Sequence, residues 1–218
     1  MKPKTIYMFR NKNGGIKKAV EKIEGTSFRD TPLDFFILLA RYKFAARLLE
    51  KQHRVIDAGG GSGLGAVFLS KFCKQVIAVD YDAELVAHNQ KEFSEIKNLE
   101  FKTLNLLKVP KNFPRFDALV SMDVVEHFPI KDSSKIVKNY VNLIKPGGFA
   151  VIGTPSAYSQ SFASQRRLDS HFHEFEPDEF KSFLSKYFKN VFLFSMTDEV
   201  VSLTFPKMAW YLMALCIK

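Results

Sequence analysis

Two acids and a run of glycines are the residues in this sequence best suited to chemistry. A short apolar run from Val55 ends in Asp57, and five glycines follow within residues 59–65. Glycine tolerates the backbone angles of a tight turn and lets a ligand approach the main chain. The pattern is therefore typical of a buried strand that leads through a ligand-binding turn into a helix. A second acid, Asp80, follows the apolar run 76–79, close to the roughly 20-residue spacing of a ribose-binding carboxylate.

This pattern predicts a nucleotide-like cofactor and leaves two classes open. One is a nicotinamide or flavin dinucleotide, because Gly61-x-Gly63-x-x-Ala66 satisfies the dinucleotide fingerprint. The other is S-adenosylmethionine, which also presents adenosine to a strand, a turn and a helix. The glycine run does not distinguish the two classes by itself.

Two further clusters contain groups that can accept a proton. Asp123, Glu126 and His127 follow the strand-like segment 117–122, and His171 and His173 stand two residues apart near acids. A carboxylate or imidazole within hydrogen-bond reach of a hydroxyl can act as its general base. We expect His127, His173 and Glu126 to be the catalytic candidates, with chance histidines on a surface loop as the alternative for the second cluster.

Strand and helix signals alternate along the chain and must position these residues. Pro32 suits the first position of a helix over 33–50, and Thr31 is a candidate N-cap. Such alternation predicts an α/β, Rossmann-like, doubly wound sheet with helices on both faces. We expect seven mostly parallel strands with a C-terminal antiparallel strand. The predicted strands are 54–58, 76–80, 99–104, 117–122, 149–153, 192–196 and 209–217, and the other predicted helices are 63–73, 83–95, 134–144 and 177–187.

Composition is that of one globular domain over residues 1–218. The hydrophobic fraction of 46% excludes a disordered chain. The net charge of +9 is concentrated in a basic N-terminal arm, residues 1–30, which is either a solvated segment or a contact for an anionic partner such as nucleic acid. We expect no membrane span, because the longest apolar run is too short. Without a signal segment, and with Cys73 and Cys216 expected to be reduced and buried, the sequence predicts a cytoplasmic protein.

Ligands of such sheets bind at the carboxyl ends of the strands, so the residues that follow each strand are the binding candidates. Asp82 is better placed than Asp80 to cap the next helix, which leaves Asp80 for ribose. Asn105 can hydrogen-bond an adenine edge. Leu106 and Met122 can sandwich its faces, although either residue can equally be core. We expect cofactor contacts from Asp57, Gly59, Gly61, Gly63, Asp80, Tyr81, Asn105, Leu106, Met122 and Asp123.

Four motifs in order resemble those of class I S-adenosylmethionine-dependent methyltransferases. They are Val55–Gly63, Val79–Asp82, Phe116–His127 and Leu143–Thr154, within residues 40–155. The resemblance implies that Asp57 and the glycine backbone hold the methionine part of the cofactor and that Asp80 holds its ribose. The usual acid near the adenine is here Asn105. The helix before the first strand also fits this family better than dinucleotide enzymes.

Two branches of that family suggest a metal. Asp123, Glu126, His127 and His173 resemble the metal-binding pattern of small-RNA 2′-O-methyltransferases and of ubiquinone-pathway O-methyltransferases. Asp123 departs from the usual Glu, and the same Asp-x-x-Glu-His form occurs in methyltransferases without a metal. There, Glu126 caps the local turn. We therefore favour a site without a metal, and a divalent cation remains the alternative.

The acceptor is expected to bind under residues 155–177, a long connection that we interpret as a lid insertion. Arg41 and Tyr42 are candidates to reach the cofactor carboxylate or the acceptor, and Arg166 and Arg167 to bind an anionic group on it. We expect O-methylation of a small molecule such as a sugar or a phosphorylated intermediate. The alternatives are a 2′-O-methyltransferase acting on RNA, an NAD-dependent oxidoreductase, and a silent cofactor-binding protein.

Overall fold

The computed structural model describes residues 22–23, 26–27, 32–203 and 205–218. Within them, eight strands form a single sheet in the order β3-β2-β1-β4-β5-β8-β6-β7. The chain order reverses between β1 and β4, which is where sheets of this type bind ligands. The strands are β1 (Arg54–Ala58), β2 (Gln75–Asp80), β3 (Leu99–Thr103), β4 (Phe116–Met122), β5 (Ile144–Pro155), β6 (Asn190–Thr197), β7 (Val200–Ser202) and β8 (Tyr211–Ile217).

The first five strands are parallel, and β8 lies antiparallel between β5 and β6. The predicted antiparallel C-terminal strand is therefore confirmed. The strand count of seven was wrong, because β7 pairs with the end of β6 as an eighth, edge strand. With three residues, of which Val200 is exposed, β7 is too short to show the alternation that identifies a strand.

Helices cover both faces of the sheet, as the alternation predicted. Three of them, with Tyr42 and Leu69 among their buried residues, pack with Val76 and Val120 on one face. The other face carries two helices, and Tyr140 of one of them packs against the opposite side of the same strands. The helices are α1 (Pro32–Arg47), α2 (Leu64–Ser70) and α3 (Ala83–Glu92) on the first face, α4 (Ile130–Leu143) and α6 (Pro177–Leu184) on the second, and the short α5 (Gln165–Ser170).

The connection from α4 to β5 differs from the prediction. Helix α4 begins at Ile130, four residues early, and Pro146, Gly147 and Gly148 lie inside β5 rather than ahead of it. The pairing of β5 with β4 shifts register across these residues, so they form a bulge. A Cβ on Gly148 would lie 2.5 Å from the carbonyl oxygen of Asp117, so only glycine fits at this point.

The remaining expectations concern the chain as a whole. Cys73 and Cys216 are buried and free, as expected, and burial raises the pKa of Cys73 to about 11. Among the described residues, no helix combines the length and apolar character needed to cross a membrane. Most of the basic arm and the Thr31 cap lie outside the described residues; within the arm, Lys22–Ile23 pairs with Thr26–Ser27. The predicted lid, residues 155–177, contains a 3-10 helix (Ala157–Phe162) and α5.

Candidate active site

The glycine loop joins β1 to α2 at the carboxyl edge of the sheet. The N–H groups of Gly59 and Gly60 both donate to the Val79 carbonyl, at 2.9 and 3.0 Å, which ties the loop to β2. Gly59, Gly61 and Gly63 have φ values of +82°, +50° and +82°. These left-handed angles explain the need for glycine.

Packing gives a second reason for glycine that the sequence did not reveal. A Cβ on Gly59 would overlap the Val124 side chain, and one on Gly65 would overlap the Tyr42 ring. A Cβ on Gly63 would lie 2.9 Å from the Phe101 ring. Gly61 differs, because a Cβ there would meet nothing closer than 4.0 Å. Among the five glycines of the loop, Gly61 is therefore the one with open space beside it, where a ligand can approach the main chain.

Asp57 is a fully buried carboxylate at the end of β1. Neither of its oxygens accepts a hydrogen bond of normal geometry within the described part of the chain. Burial, and then the charge of Asp80, raise the pKa of Asp57 to about 7, and a looser contact with the Tyr42 hydroxyl lowers it in part. A carboxylate whose burial disfavours its charged form is typical of a functional site, where a bound cation offsets the burial penalty.

Asp80 ends β2 and faces the glycine loop. Its carboxylate accepts from the N–H of Gly61 at 3.2 Å and from that of Asp82 at 3.1 Å. Burial raises its pKa, although these hydrogen bonds oppose the rise. Asp82 caps α3 by accepting from the N–H groups of Glu84 and Leu85, as expected. Asp80 is thus linked directly to the loop and is not used as the helix cap.

The residues expected around an adenine lie less favourably. Asn105 is exposed, and its Oδ1 accepts from the Leu107 N–H at 2.9 Å, closing a local turn. Leu106 belongs to the core on the α4 face, whereas Met122 packs on the α1 face near Tyr211. The expected sandwich of one ring between Leu106 and Met122 is therefore wrong, because the two side chains lie on opposite faces of the sheet. Tyr81 follows Asp80 at the same edge and is partly buried.

Asp123 follows β4 with a left-handed φ of +55°, unusual for a residue other than glycine. Its carboxylate accepts from Arg41 Nη1 at 2.6 Å. The Arg41 guanidinium also stacks over the Tyr211 ring, 3.8 Å from its centroid. The Asp123 N–H donates to the Gly153 carbonyl at 3.1 Å. Arg41, expected to reach a ligand, instead joins α1 to the turn after β4.

Glu126, His127 and His171 form a compact polar cluster beyond β4 and β5. One ligand atom from each lies within 4.8 Å of the others. The Thr154 hydroxyl donates to the buried Glu126 carboxylate at 3.1 Å. His127 Nδ1 lies 3.2 Å from the Ser170 carbonyl, which can only accept, so Nδ1 carries the proton and Nε2 the lone pair. Burial, and then His171, lower the pKa of His127 to about 4, so this imidazole is neutral at pH 7.

His173 lies apart from that cluster. Its Nε2 lies 2.8 Å from Glu179 Oε1, and its ring stacks edge-on against Phe175. The grouping of Asp123, Glu126, His127 and His173 as one metal-binding set is therefore wrong. Asp123 is paired with Arg41 and His173 with Glu179, and His171 takes the place beside His127. The chain bends at Phe172, between the two histidines, so their spacing alone did not show which of them lies beside His127.

Arg167 and Glu174 join parts of the segment 155–177 to one another. Arg167 donates to both carboxylate oxygens of Glu174, at 2.6 and 3.0 Å, and to the Ser156 carbonyl at 3.0 Å. Burial alone would raise the pKa of Glu174, but hydrogen bonds from His171 and Arg167 hold it below its ordinary value. Arg167, a candidate to bind an anionic group on the acceptor, donates to groups within residues 155–177 in this structure.

The segment 155–177 is joined to the cluster through the backbone. The N–H groups of Phe172 and His173 donate to the Glu126 carbonyl at 2.7 and 3.2 Å, and that of Ala157 donates to the Phe175 carbonyl at 2.9 Å. Sequence reasoning missed Tyr211 as a site residue. It lies 88 positions from Asp123, whose N–H donates to its hydroxyl at 3.3 Å, and only the antiparallel insertion of β8 beside β5 brings the two together.

Comparison with known proteins supports one cofactor class. Residues 56–152 match the family model described as a methyltransferase domain. A probable S-adenosylmethionine-dependent methyltransferase of Mycobacterium tuberculosis is 29% identical over 131 residues, 60% of this chain and 46% of that protein. A ubiquinone biosynthesis O-methyltransferase of Coxiella burnetii is 35% identical over 100 residues, 45% of this chain and 42% of that protein. The matches span less than half the length of these relatives.

A methyltransferase is also among the solved structures that share this fold. The N-methyltransferase NodS from Bradyrhizobium japonicum, solved in complex with S-adenosyl-L-homocysteine, superposes with a TM-score of 0.65. The superposition covers 93% of this chain and 96% of that one at 13% identity. At that identity the likeness shows a shared fold.

Proposed function

We propose that the chain is a class I S-adenosylmethionine-dependent methyltransferase, and that it methylates an oxygen of a small molecule such as a sugar or a phosphorylated intermediate. The observation that carries the proposal is the arrangement of Asp57, the glycine loop and Asp80 at one edge of the sheet. Similarity to an O-methyltransferase supports oxygen as the accepting atom.

The residues present fit the cofactor. Asp57 is a buried acid without a normal hydrogen bond, so a ligand ammonium group placed against it would offset the cost of burying its charge. The open side of Gly61 admits a ligand to the main chain. Asp80, anchored by two N–H groups, is held rigidly enough to accept from a pair of ribose hydroxyls. In this proposal Asp57 and the glycine loop hold the methionine end, and Asp80 the ribose.

The cofactor, when bound, supplies a sulfonium methyl that is already activated for displacement. The chain therefore has two tasks: to align the acceptor oxygen and to receive its proton. Alignment of reacting groups accounts for most of the rate in such reactions. His127 suits the second task, because its neutral imidazole presents an Nε2 lone pair while Nδ1 is held by the Ser170 carbonyl. Glu126 is anchored to Thr154 beside it, and we propose that residues 155–177 enclose the acceptor.

A labelled methyl donor tests this proposal. The protein is incubated with S-adenosylmethionine labelled at the methyl group and a fractionated cell extract. We expect label in the small-molecule fraction, in a product stable to mild base as an ether is. His127→Gln should abolish the labelling, whereas the control His53→Gln, beyond the amino end of β1, should leave it unchanged. Label found only in protein or RNA, or in no fraction, would contradict the proposal.

A second candidate is metal-dependent 2′-O-methylation of RNA. The observation in its favour is the cluster of Glu126, His127 and His171, a combination of carboxylate and imidazoles that divalent metals accept. The net charge of +9 suits a nucleic acid. This candidate predicts activity on an RNA oligonucleotide that is lost in chelator, regained with Mg²⁺ or Mn²⁺, and steeply reduced by salt.

A further inference from the structure

Helix α1 packs against the start of α2, at the carboxyl-terminal end of the glycine loop. Tyr42 is 5% exposed, and its ring fills the space that a side chain on Gly65 would need. Its hydroxyl also reaches towards Asp57, where it opposes the rise in that acid's pKa. The position of α1 is therefore coupled to the end of the loop and to the acid assigned to the methionine part of the cofactor.

Helix α1 also holds the amino-terminal end of the loop, at Gly59, through its contact with Asp123. Arg41 contacts that carboxylate at 2.6 Å, and the side chains of the pair are only 16% and 9% exposed. Asp123 itself is fixed by the hydrogen bond of its N–H to the Gly153 carbonyl. The next residue, Val124, packs so closely on Gly59 that no side chain fits there. A displacement of the Asp123 turn would therefore reach Gly59 directly.

We propose that Arg41 and Tyr42 are positioning residues for the cofactor, because α1 clamps the glycine loop at both of its ends. The Arg41–Asp123 ion pair, stacked on Tyr211, is the latch of this clamp. This inference rests on the proposed function. It also changes the role expected of Asp123, which supports the loop through Arg41 and Val124 rather than by contacting the cofactor. A cofactor that orders the loop then tightens α1, and α1 in turn favours the bound loop, since coupling between two sites is reciprocal.

Affinity for S-adenosylhomocysteine, measured by calorimetry, tests the latch. Arg41→Met and Asp123→Asn should each weaken binding about tenfold, within the usual range for coupled sites. The double variant should be no weaker than either single one, because both changes open the same contact. Arg41→Lys should recover part of the affinity. Additive losses in the double variant, or wild-type affinity in both single variants, would overturn the proposal.

Arg54→Met is the matched control, since Arg54 also lies over an aromatic ring, Phe116, but at the amino edge of β1. It should leave the affinity unchanged. Amide hydrogen exchange provides a reading that needs no cofactor. In the ligand-free Arg41→Met variant, residues 59–65 should exchange about tenfold faster than in the wild type, while β3 should be unaffected.

The two outcomes separate the inference from the proposed function. Wild-type protein that does not bind S-adenosylhomocysteine would contradict the proposed function, and faster exchange in the variant would still support the clamp. Wild-type protein that binds it, together with unchanged exchange in Arg41→Met, would overturn the clamp alone.

Discussion

Replacing Asp57 with Asn should stabilise the ligand-free protein while removing its affinity for the cofactor. The pKa of Asp57 is raised from 3.8 to about 7, mainly by burial. At about 1.4 kcal/mol per pKa unit, this difference corresponds to a burial cost of about 4 kcal/mol for the ionised form. The unfolded chain does not carry this cost, and the neutral Asn side chain avoids it in the folded protein.

The sign of the pH dependence follows from the proton balance. Between pH 3.8 and about 7 the folded protein keeps a proton on Asp57 that the unfolded chain has released. The free energy of unfolding of the wild type therefore falls as the pH rises through this window. Above pH 7 the full cost is present. The advantage of Asp57→Asn should therefore be near zero at pH 4, increase up to pH 7 and stay constant above it. For a chain of 218 residues, about 4 kcal/mol corresponds to roughly 10 °C in Tm.

Chemical denaturation of wild type and variant at pH 4, 6 and 8 measures this effect, with S-adenosylhomocysteine titrations alongside. Asp117→Asn is the control of opposite sign. Burial alone would raise the pKa of Asp117, but hydrogen bonds from Lys145 and the Arg54 N–H lower it below its ordinary value. Replacing the Asp117 carboxylate should therefore destabilise the protein at pH 8. A variant at Asp57 that is no more stable at pH 8 than at pH 4, relative to wild type, would refute the reasoning. So would undiminished affinity for S-adenosylhomocysteine.

Three further predictions test other parts of the site. Asp80→Asn should weaken S-adenosylhomocysteine binding about tenfold in calorimetry by removing an anionic acceptor for ribose, and an unchanged Kd would exclude that role. Gly63→Ala should lower the free energy of unfolding by about 1–3 kcal/mol because of its φ of +82° and the Phe101 ring; Gly147→Ala, at +77° with nothing within 4 Å, should lose less. If His127 is the base, its pKa of about 4 predicts methyl transfer with no histidine-dependent decrease between pH 6 and 8, and a midpoint near 6.5 would point to another imidazole.

Much of the cofactor edge could be predicted because local signals specify it. Strand β1 was placed at 54–58 by its apolar run and the glycines that end it. Asp82 was recognised as the cap of α3 from its position alone, which left Asp80 as the candidate for ribose. Both inferences depend on residues close in sequence, whose geometry follows from backbone preferences.

The acceptor side could not be predicted in the same way, because it is assembled from distant segments. His171 rather than His173 lies beside His127, and Arg167 donates to Glu174. The Arg41–Asp123 contact spans 82 positions and depends on how α1 lies across the sheet. Leu106 and Met122 were paired by type, but the faces of the sheet on which they pack were not evident from their positions.

Calorimetric titration of the wild-type protein with S-adenosylhomocysteine and with NAD tests the central claim most directly. The site of Asp57, Asp80 and the glycine loop predicts one molecule of S-adenosylhomocysteine bound per chain and no heat from NAD. Binding of NAD without binding of S-adenosylhomocysteine would contradict the account.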